Sequence, residues 1–432
     1  MSIYVHAQII STVAGNGING VSGDGGYAID AECNTGAMGF DTSGNIYMAD
    51  AFHDVVRKIS TTGIIYTIAG NGTEGYSGDG GQATAAGMYW PIDAAVDRSG
   101  NIFITEAISN RVRKIAPDGI ISTVAGGGHS RDFTQSAIAT NVSLWAPAGI
   151  ATDNNGNVFF SEKFNHCISK LSTTGIITTI AGTGAGGYNG DNIMASGAKL
   201  NDPQGITIDQ AGNIYVADAG NDRIRKINIS GIITTVAGSG TYGYSGDNIA
   251  ATDAQVKSAS DVAVDKAGNL YIADRYNQRI RKVDKAGIIT TIAGTGIAGF
   301  SGDGGIATDA QLNGPGGIGV NDWGYVYIAD GNNYRLRYIH STLAAQNVNK
   351  STGELTAHPN PNNGEFIVNI PSGITEQVKI TMMNMLGELV KELISTTNRD
   401  IQINENLPSG VYLISAVTAA GKHSTRISVI SK

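Results

Sequence analysis

The stretch that decides the fold runs from Gln204 to Gly238, QGITIDQAGNIYVADAGNDRIRKINISGIITTVAG. It divides into four runs, QGITID, NIYVAD, RIRKIN and IITTVAG, with turns at Gln210–Asn213 and around Ser230–Gly231 and a loop between the second and third runs. Runs this short, rich in Ile, Val, Tyr and Thr and bounded by Gly, Asn or Asp, are strands joined by hairpins, because branched and aromatic side chains suit a pleated surface and turn residues end it. Gly212 supplies the positive φ that a short hairpin needs. The four strands are called a to d below.

The last run returns along the chain as IISTVAG at 9–15, IIYTIAG at 64–70, IISTVAG at 120–126, IITTIAG at 176–182, IITTVAG at 232–238 and IITTIAG at 288–294. The turn glycine falls at Gly44, Gly100, Gly156, Gly212, Gly268 and Gly324, always 56 residues apart. One four-stranded sheet cannot bury both its faces, so six such units must stack around an axis. The expected fold class is all-β, a six-bladed β-propeller. The sixth unit, from Gly316 to about Ile339, is followed by no IITTIAG string, whereas one precedes the first unit at Ile9–Gly15. The N-terminal strand is therefore expected to complete the last blade, which closes the ring and removes an exposed sheet edge.

Composition agrees with short strands and tight turns. Glycine makes up 59 of 432 residues, about twice the usual share of about 7%. A formal charge of −8 argues against nucleic acid and anionic membranes as main partners. No apolar run approaches the length of a transmembrane helix. Two cysteines, Cys33 and Cys167, cannot build a disulfide framework.

The units GIxxDxxGNIYxADxxNxRIRKI resemble NHL repeats, and the GDGGxAxxA insertions with GIITTxAG resemble the bacterial subset of that family, over residues 9–340. The resemblance implies a six-bladed propeller; for chemistry it spans binding scaffolds, sensors and a few metal-dependent lyases and lactonases. Residues 341–358 lack apolar periodicity and read as a linker. From Pro359 to Lys432, six to seven short strands suit a small antiparallel β-sandwich. There PNPNNGEF, MLGELV, LPSGVYLI and a terminal β-run resemble the type A C-terminal sorting domain of the type IX secretion system of Bacteroidota. That resemblance implies the secretion machinery as a partner and a secreted or outer-membrane surface location. Residues 1–8, MSIYVHAQ, have no basic n-region and read as the remnant of a leader, with Ala7-Gln8 suited to a cleavage edge. A monomer is expected.

Connections from strand d to the next strand a run to about 20 residues and open, with the b–c loops, on one face; long loops mark that face as functional. The loop aspartates Asp24, Asp79, Asp191, Asp247 and Asp303 are expected to cap short helical turns in preference to forming a ring for calcium or sugar hydroxyls. At the end of strand b stand Asp50, Glu106, Glu162, Asp218, Asp274 and Asp330. With the arginines of strand c they are expected to form cross-strand ion pairs. Blade 3 departs from the repeat with His129-Ser130-Arg131-Asp132-Phe133, Trp145, Phe164, His166 and Cys167, and blade 2 adjoins it with Tyr89 and Trp90. Aromatic rings beside carboxylates and an arginine suit sugar or peptide recognition, so Trp90, Glu106, Arg131, Trp145, Glu162, Phe164 and His166 are the candidate ligand-binding residues. Asp93 and Asp261 replace glycine at the start of strand a in opposite blades, and face one another across the channel mouth. They are candidate ligands for a calcium or zinc ion, the simpler account being side-chain capping of the neighbouring backbone. No catalytic residue is assigned. The reading is a non-enzymatic binding module for a glycan or protein; the alternative is a metal-dependent lyase or lactonase at the channel mouth.

Overall fold

The computed structural model describes residues 6–129, 132, 135–343, 355–358, 365–370, 374–384, 389–405, 407, 410–418 and 421–429. Two compact units emerge: one holds Gln8–Ile59 and Ile65–Ile339, the other includes His340–Lys432.

The first unit contains six antiparallel sheets whose strands follow the order d, c, b, a from rim to axis. In blade 4 these are Ile232–Ala237, Arg223–Ile227, Ile214–Asp218 and Pro203–Ile208. The innermost strands, Met38–Phe40, Pro91–Val96, Pro147–Thr152, Pro203–Ile208, Asp261–Val264 and Pro315–Val320, each pack beside the next, and the last returns to the first. The ring is closed and has six blades. Strand d of the sixth is His6–Ala14, hydrogen-bonded alongside Arg335–Leu343. The closure is reinforced where Ile10 donates its N–H to the Gly305 carbonyl at 3.1 Å and Thr12 its hydroxyl to Asp303 at 2.5 Å. In blades 3, 4 and 5 the incoming loop adds a fifth outer strand of two residues, such as Ile193–Met194.

Every residue of each strand b is buried, which is why these runs are mostly apolar up to the final acid instead of alternating: a neighbouring blade covers each face. The hydrophobic core accordingly lies in six clusters, each mostly shared by neighbouring blades, such as Tyr215 and Ile224 of blade 4 with Val262 and Ile272 of blade 5. The a–b turns stay short because Asp209 accepts the N–H groups of Ala211 and Asn213 on one oxygen and the Asn213 amide at 2.7 Å on the other. Asp97 and Asp153 do the same in their blades.

The loop aspartates do not cap helices, contrary to expectation. The three-residue helical turns they precede, such as Ala83–Ala85, carry no side-chain cap. Each aspartate instead bonds a fully buried arginine in the middle of strand c: Asp24 with Arg57 at 2.7 Å, Asp79 with Arg113 at 2.7 Å, Asp191 with Arg225 at 3.0 Å, Asp247 with Arg281 at 3.0 Å and Asp303 with Arg337 at 2.7 Å. In four of these blades the same arginine reaches the acid ending strand b, as Arg225 reaches Asp218 at 3.4 Å. The cross-strand pairs expected there are thus half of a three-part clasp. A buried guanidinium has five N–H donors to satisfy, and a single strand-b acid leaves most of them bare; the loop folds back to supply further acceptors, as Gly190 and Asp191 do for Arg225, though the Nε of Arg57, Arg225 and Arg281 finds none among the described residues.

The second unit is a pair of antiparallel sheets. One holds Thr356–His358, Glu365–Asn369 and Asp400–Asn404; the other holds Leu389–Thr396, Gln377–Asn384, Gly410–Thr418 and Gly421–Val429. Phe366, Val368, Ile380, Met382, Tyr412, Ile414 and Ile427 fill the core between them. Of the motifs quoted above, residues 359–364, 385–388 and 408–409 lie outside the described residues, as do 1–5 and 344–354.

Candidate functional site

The long-loop face is built from the b–c loops and the residues just before strand a. The residue after each b–c loop adopts the left-handed conformation: Asp54, Asn110, His166, Asp222, Gln278 and Tyr334, all with φ between 48° and 54°. In five blades its side chain accepts the N–H of the residue leading into strand a of the next blade: Asp54 from Trp90 at 2.7 Å, Asn110 from Ala146 at 2.7 Å, His166 from Asp202 at 3.2 Å, Asp222 from Ser258 at 2.9 Å and Gln278 from Gly314 at 2.6 Å. This staple brings each b–c loop against the next blade, and it determines which surface side chains meet.

Two aromatic pairs result. Phe52, at the tip of the first b–c loop, packs on Trp90 with ring centroids 5.0 Å apart; Trp145 meets Phe164 edge-on at 5.5 Å. Phe52, Trp145 and Phe164 are 60%, 56% and 48% exposed, so each pair offers apolar surface to solvent. Between them in chain order stands Ile108, also exposed, at the loop tip of blade 2. Blades 1 to 3 thus carry an arc of large apolar side chains on the face where loops are long.

Of the sequence candidates, Trp90, Trp145 and Phe164 reach this surface, and Glu106, Glu162 and His166 do not serve it. Glu106 is completely buried, held by Arg113 at 3.3 Å, the Ser109 hydroxyl at 2.8 Å and the Tyr89 N–H at 3.2 Å; burial pushes its pKa up. Glu162 is equally buried and accepts from Ser169 and Asn165. His166 fills the staple position that Asp and Asn fill elsewhere. Charge at the repeat position of Glu106 and Glu162 is spent on the interior, and the position of His166 on the staple. Arg131 lies outside the described residues. Phe52 and Ile108 were missed, although aligning the 56-residue repeat exposes them: the loop-tip position reads Phe52, Ile108, Phe164, Gly220, Tyr276 and Asn332.

At the axis, a cavity of about 170 Å³ is lined by all six strands a, with Asp93 and Asp261 among the lining residues. Each carboxylate is already engaged: Asp93 accepts the N–H groups of Ala94 at 2.8 Å and Ile150 at 3.0 Å, and Asp261 those of Val262 and Ile318, both at 2.8 Å. Each therefore ties its own blade to the next, which is the capping account. Burial raises both pKa values, Asp261 to about 7 and Asp93 well above the usual range, the negative charge of Asp261 adding to the shift of Asp93. Among the described residues, no three His, Cys, Asp or Glu side chains gather where a metal ion would need them. Cys33 and Cys167 are buried thiols, and burial raises Cys33 to about 12.

Residues 184–245 and 241–300 match the family model for the Teneurin NHL domain, and residues 356–430 match that of the secretion system C-terminal sorting domain. Human Teneurin-1 is 33% identical over 233 residues, which is 48% of this chain and 8% of Teneurin-1. The chloroplastic protein SUPPRESSOR OF QUENCHING 1 of Arabidopsis thaliana is 26% identical over 235 residues, 51% of this chain and 22% of that protein. The chain therefore spans a small part of the curated relatives it matches. Among solved structures, a protein of unknown function from Bacteroides thetaiotaomicron superposes with a TM-score of 0.58 at 18% identity, covering 78% of this chain and 77% of that one. An auxiliary nutrient binding protein from the same organism gives 0.57 at 16% identity, covering 78% of each. At such identities the likeness is one of fold.

Proposed function

We propose, from the premise that the chain is an NHL-repeat β-propeller followed by a C-terminal secretion sorting domain, that it is an exported, non-enzymatic binding module. The sorting domain indicates secretion or attachment at the cell surface. The ligand seats on the long-loop face of blades 1 to 3, and a glycan fits that face better than a flat protein epitope.

The observation that supports this reading is the pair of exposed aromatic contacts, Phe52 with Trp90 and Trp145 with Phe164. Rings held by a neighbour lose little rotamer freedom on binding and present flat apolar surface to the C–H faces of sugars. Loop tips in the other blades carry Gly220 and Asn332, with Tyr276 the exception, so the paired loop-tip aromatics lie on blades 1 to 3, although the long loops elsewhere expose single rings such as Tyr242. The lyase or lactonase alternative would need a cation at the channel mouth, where the oxygens of Asp93 and Asp261 are already tied to backbone donors.

A glycan array with the full chain tests this. The double variant Trp90→Ala, Trp145→Ala is expected to lose at least tenfold in affinity for the glycans that the wild type retains, with its melting temperature nearly unchanged. Retention of every glycan by the double variant would refute the assignment of the face.

A further inference from the structure

We infer that the glycan carries a carboxylate, a uronic acid residue, and that Arg111 holds it in a pocket between blades 2 and 3. This rests on the proposed glycan reading and gives it a chemical class.

Four blades begin strand c with an arginine: Arg111, Arg223, Arg279 and Arg335. Each stacks over an aromatic ring from the incoming loop, at 3.7 Å from the Tyr76 centroid for Arg111 and 3.9 to 4.0 Å for the others. Each also donates from Nη1 to a carbonyl two residues back, as Arg111 does to Ser109 at 2.7 Å. In three of the four, Nη2 then donates to a loop carbonyl: Arg223 to Ser239 at 2.9 Å, Arg279 to Thr295 at 2.8 Å and Arg335 to Asn16 at 2.9 Å. Arg111 makes no such bond among the described residues, although Gly127 stands at the corresponding position.

The cause is a one-residue slip in the loop. Elsewhere Asn71, Ser239 and Thr295 donate their N–H to a carbonyl fifteen residues on; here Gly128, not Gly127, donates to Val142. The usual pattern of positive φ at the first and third positions, as at Gly238 and Gly240, becomes positive φ at Gly126 and Gly127. Glycine at all three positions, 126 to 128, permits the slip. Among the described residues, no acceptor is then bonded to the Nε–Nη2 edge of Arg111.

Arg111 lines a cavity of about 200 Å³ with Ser109, Gly127, Gly128 and Ser143 among others, and Nη2 and Nε are its atoms nearest Gly127. The cavity is smaller than the roughly 300–1,000 Å³ that encloses a whole ligand, so it takes one substituent. Two parallel N–H donors in a plane match the paired oxygens of a carboxylate, the anionic group a sugar ring carries directly on its own carbon; a sulfate would fit the same fork, and titration with sulfated oligosaccharides separates the two. Ile108 precedes Ser109, and Trp145 follows the cavity residues Ser143 and Leu144, so apolar surface flanks the arginine along the chain on both sides. A sugar ring on that surface would direct an equatorial carboxylate to the guanidinium. The overall charge of −8 opposes long-range attraction of a polyanion, so recognition here depends on this local contact and weakens with salt.

The test is calorimetric titration of the full chain with trigalacturonate and alginate oligosaccharides, their carboxyl-reduced neutral counterparts, sulfated oligosaccharides and an acidic peptide. One of the two uronates is expected to bind, with at least tenfold loss on carboxyl reduction and the same loss in Arg111→Gln. Arg223→Gln, which removes the same stack where Nη2 is already bonded, is expected to leave affinity unchanged and controls for folding. Binding of neutral and acidic glycans alike, lost in Trp145→Ala and indifferent to Arg111→Gln, would overturn the carboxylate and leave the glycan face standing. Preference for the sulfated sugars or the peptide, or no uronate binding by the wild type, would overturn it too.

Discussion

Blade 3 and the other five solve the same structural problem differently. In the five, a buried arginine in strand c is clasped by a loop aspartate, and the loop sequence repeats with it: Arg225 with Asp191, Arg281 with Asp247. In blade 3 Ser169 stands where the others have that arginine, and its hydroxyl donates to Glu162, so no buried guanidinium has to be clasped there. In the same blade the segment after Gly126 departs from the repeat sequence. The departures gather where the clasp is missing, and Arg111 with Trp145 and Phe164 stands at that boundary.

The largest effect that separates the two solutions is on stability. Arg225→Leu strands Asp218 and Asp191 without their cation and is expected to cost about 3–5 kcal/mol; Ser169→Ala removes the hydroxyl that donates to Glu162 and is expected to cost about 1–2 kcal/mol. Urea unfolding of the two variants reads the difference, and similar small losses would mean that the clasp does not organise the blade.

A second contrast is between the clasped acids and the axial pair. Burial raises Asp218 and Asp330 to about 6 and Asp261 to about 7. A carboxyl whose folded pKa exceeds its unfolded value binds more protons when folded. Its contribution to stability is therefore greatest at acid pH and is lost as pH rises from about 4 to about 7. Asp261 has only backbone donors and no cation, so Asp261→Asn is expected to flatten the fall in melting temperature between pH 4.5 and 8 by about 2 °C or more. An unchanged profile would place the titration elsewhere.

The smallest expected effect lies on the surface. Phe52→Ala is expected to weaken glycan binding about two- to tenfold with stability within about 0.5 kcal/mol of wild type, whereas Tyr276→Ala, at the same repeat position in blade 5, is expected to change neither. Equal losses would spread the site around the ring.

The ring was legible because its period is strict. Six copies of one string, with the outer strand missing at one end and present at the other, require closure by Ile9–Gly15, and that strand does pair beside Arg335–Leu343. What the clasp does was not legible, because Asp24 and Arg57 sit 33 residues apart and nothing local says that a glycine-flanked aspartate reaches back to a strand in place of capping the turn beside it. Glu106 and Glu162 misled for the same reason: a charged residue at a repeat position reads alike whether it faces solvent or an interior guanidinium. Phe52 and Ile108 are visible in the alignment of loop tips, but departures from the repeat in blade 3 and its neighbour blade 2 point to other positions. The three glycines at 126–128 became meaningful only once the bond that Arg111 lacks could be compared with the bond its three counterparts make.

Hydrogen exchange of the full chain at saturating uronate oligosaccharide tests the account most directly. Slowed exchange is expected around residues 51–54, 89–91, 107–111, 126–128, 143–146 and 163–166, with the corresponding loops of blades 4 to 6 unchanged. Protection that appears instead on those three blades, or on the short a–b and c–d turns of the opposite face, would contradict it.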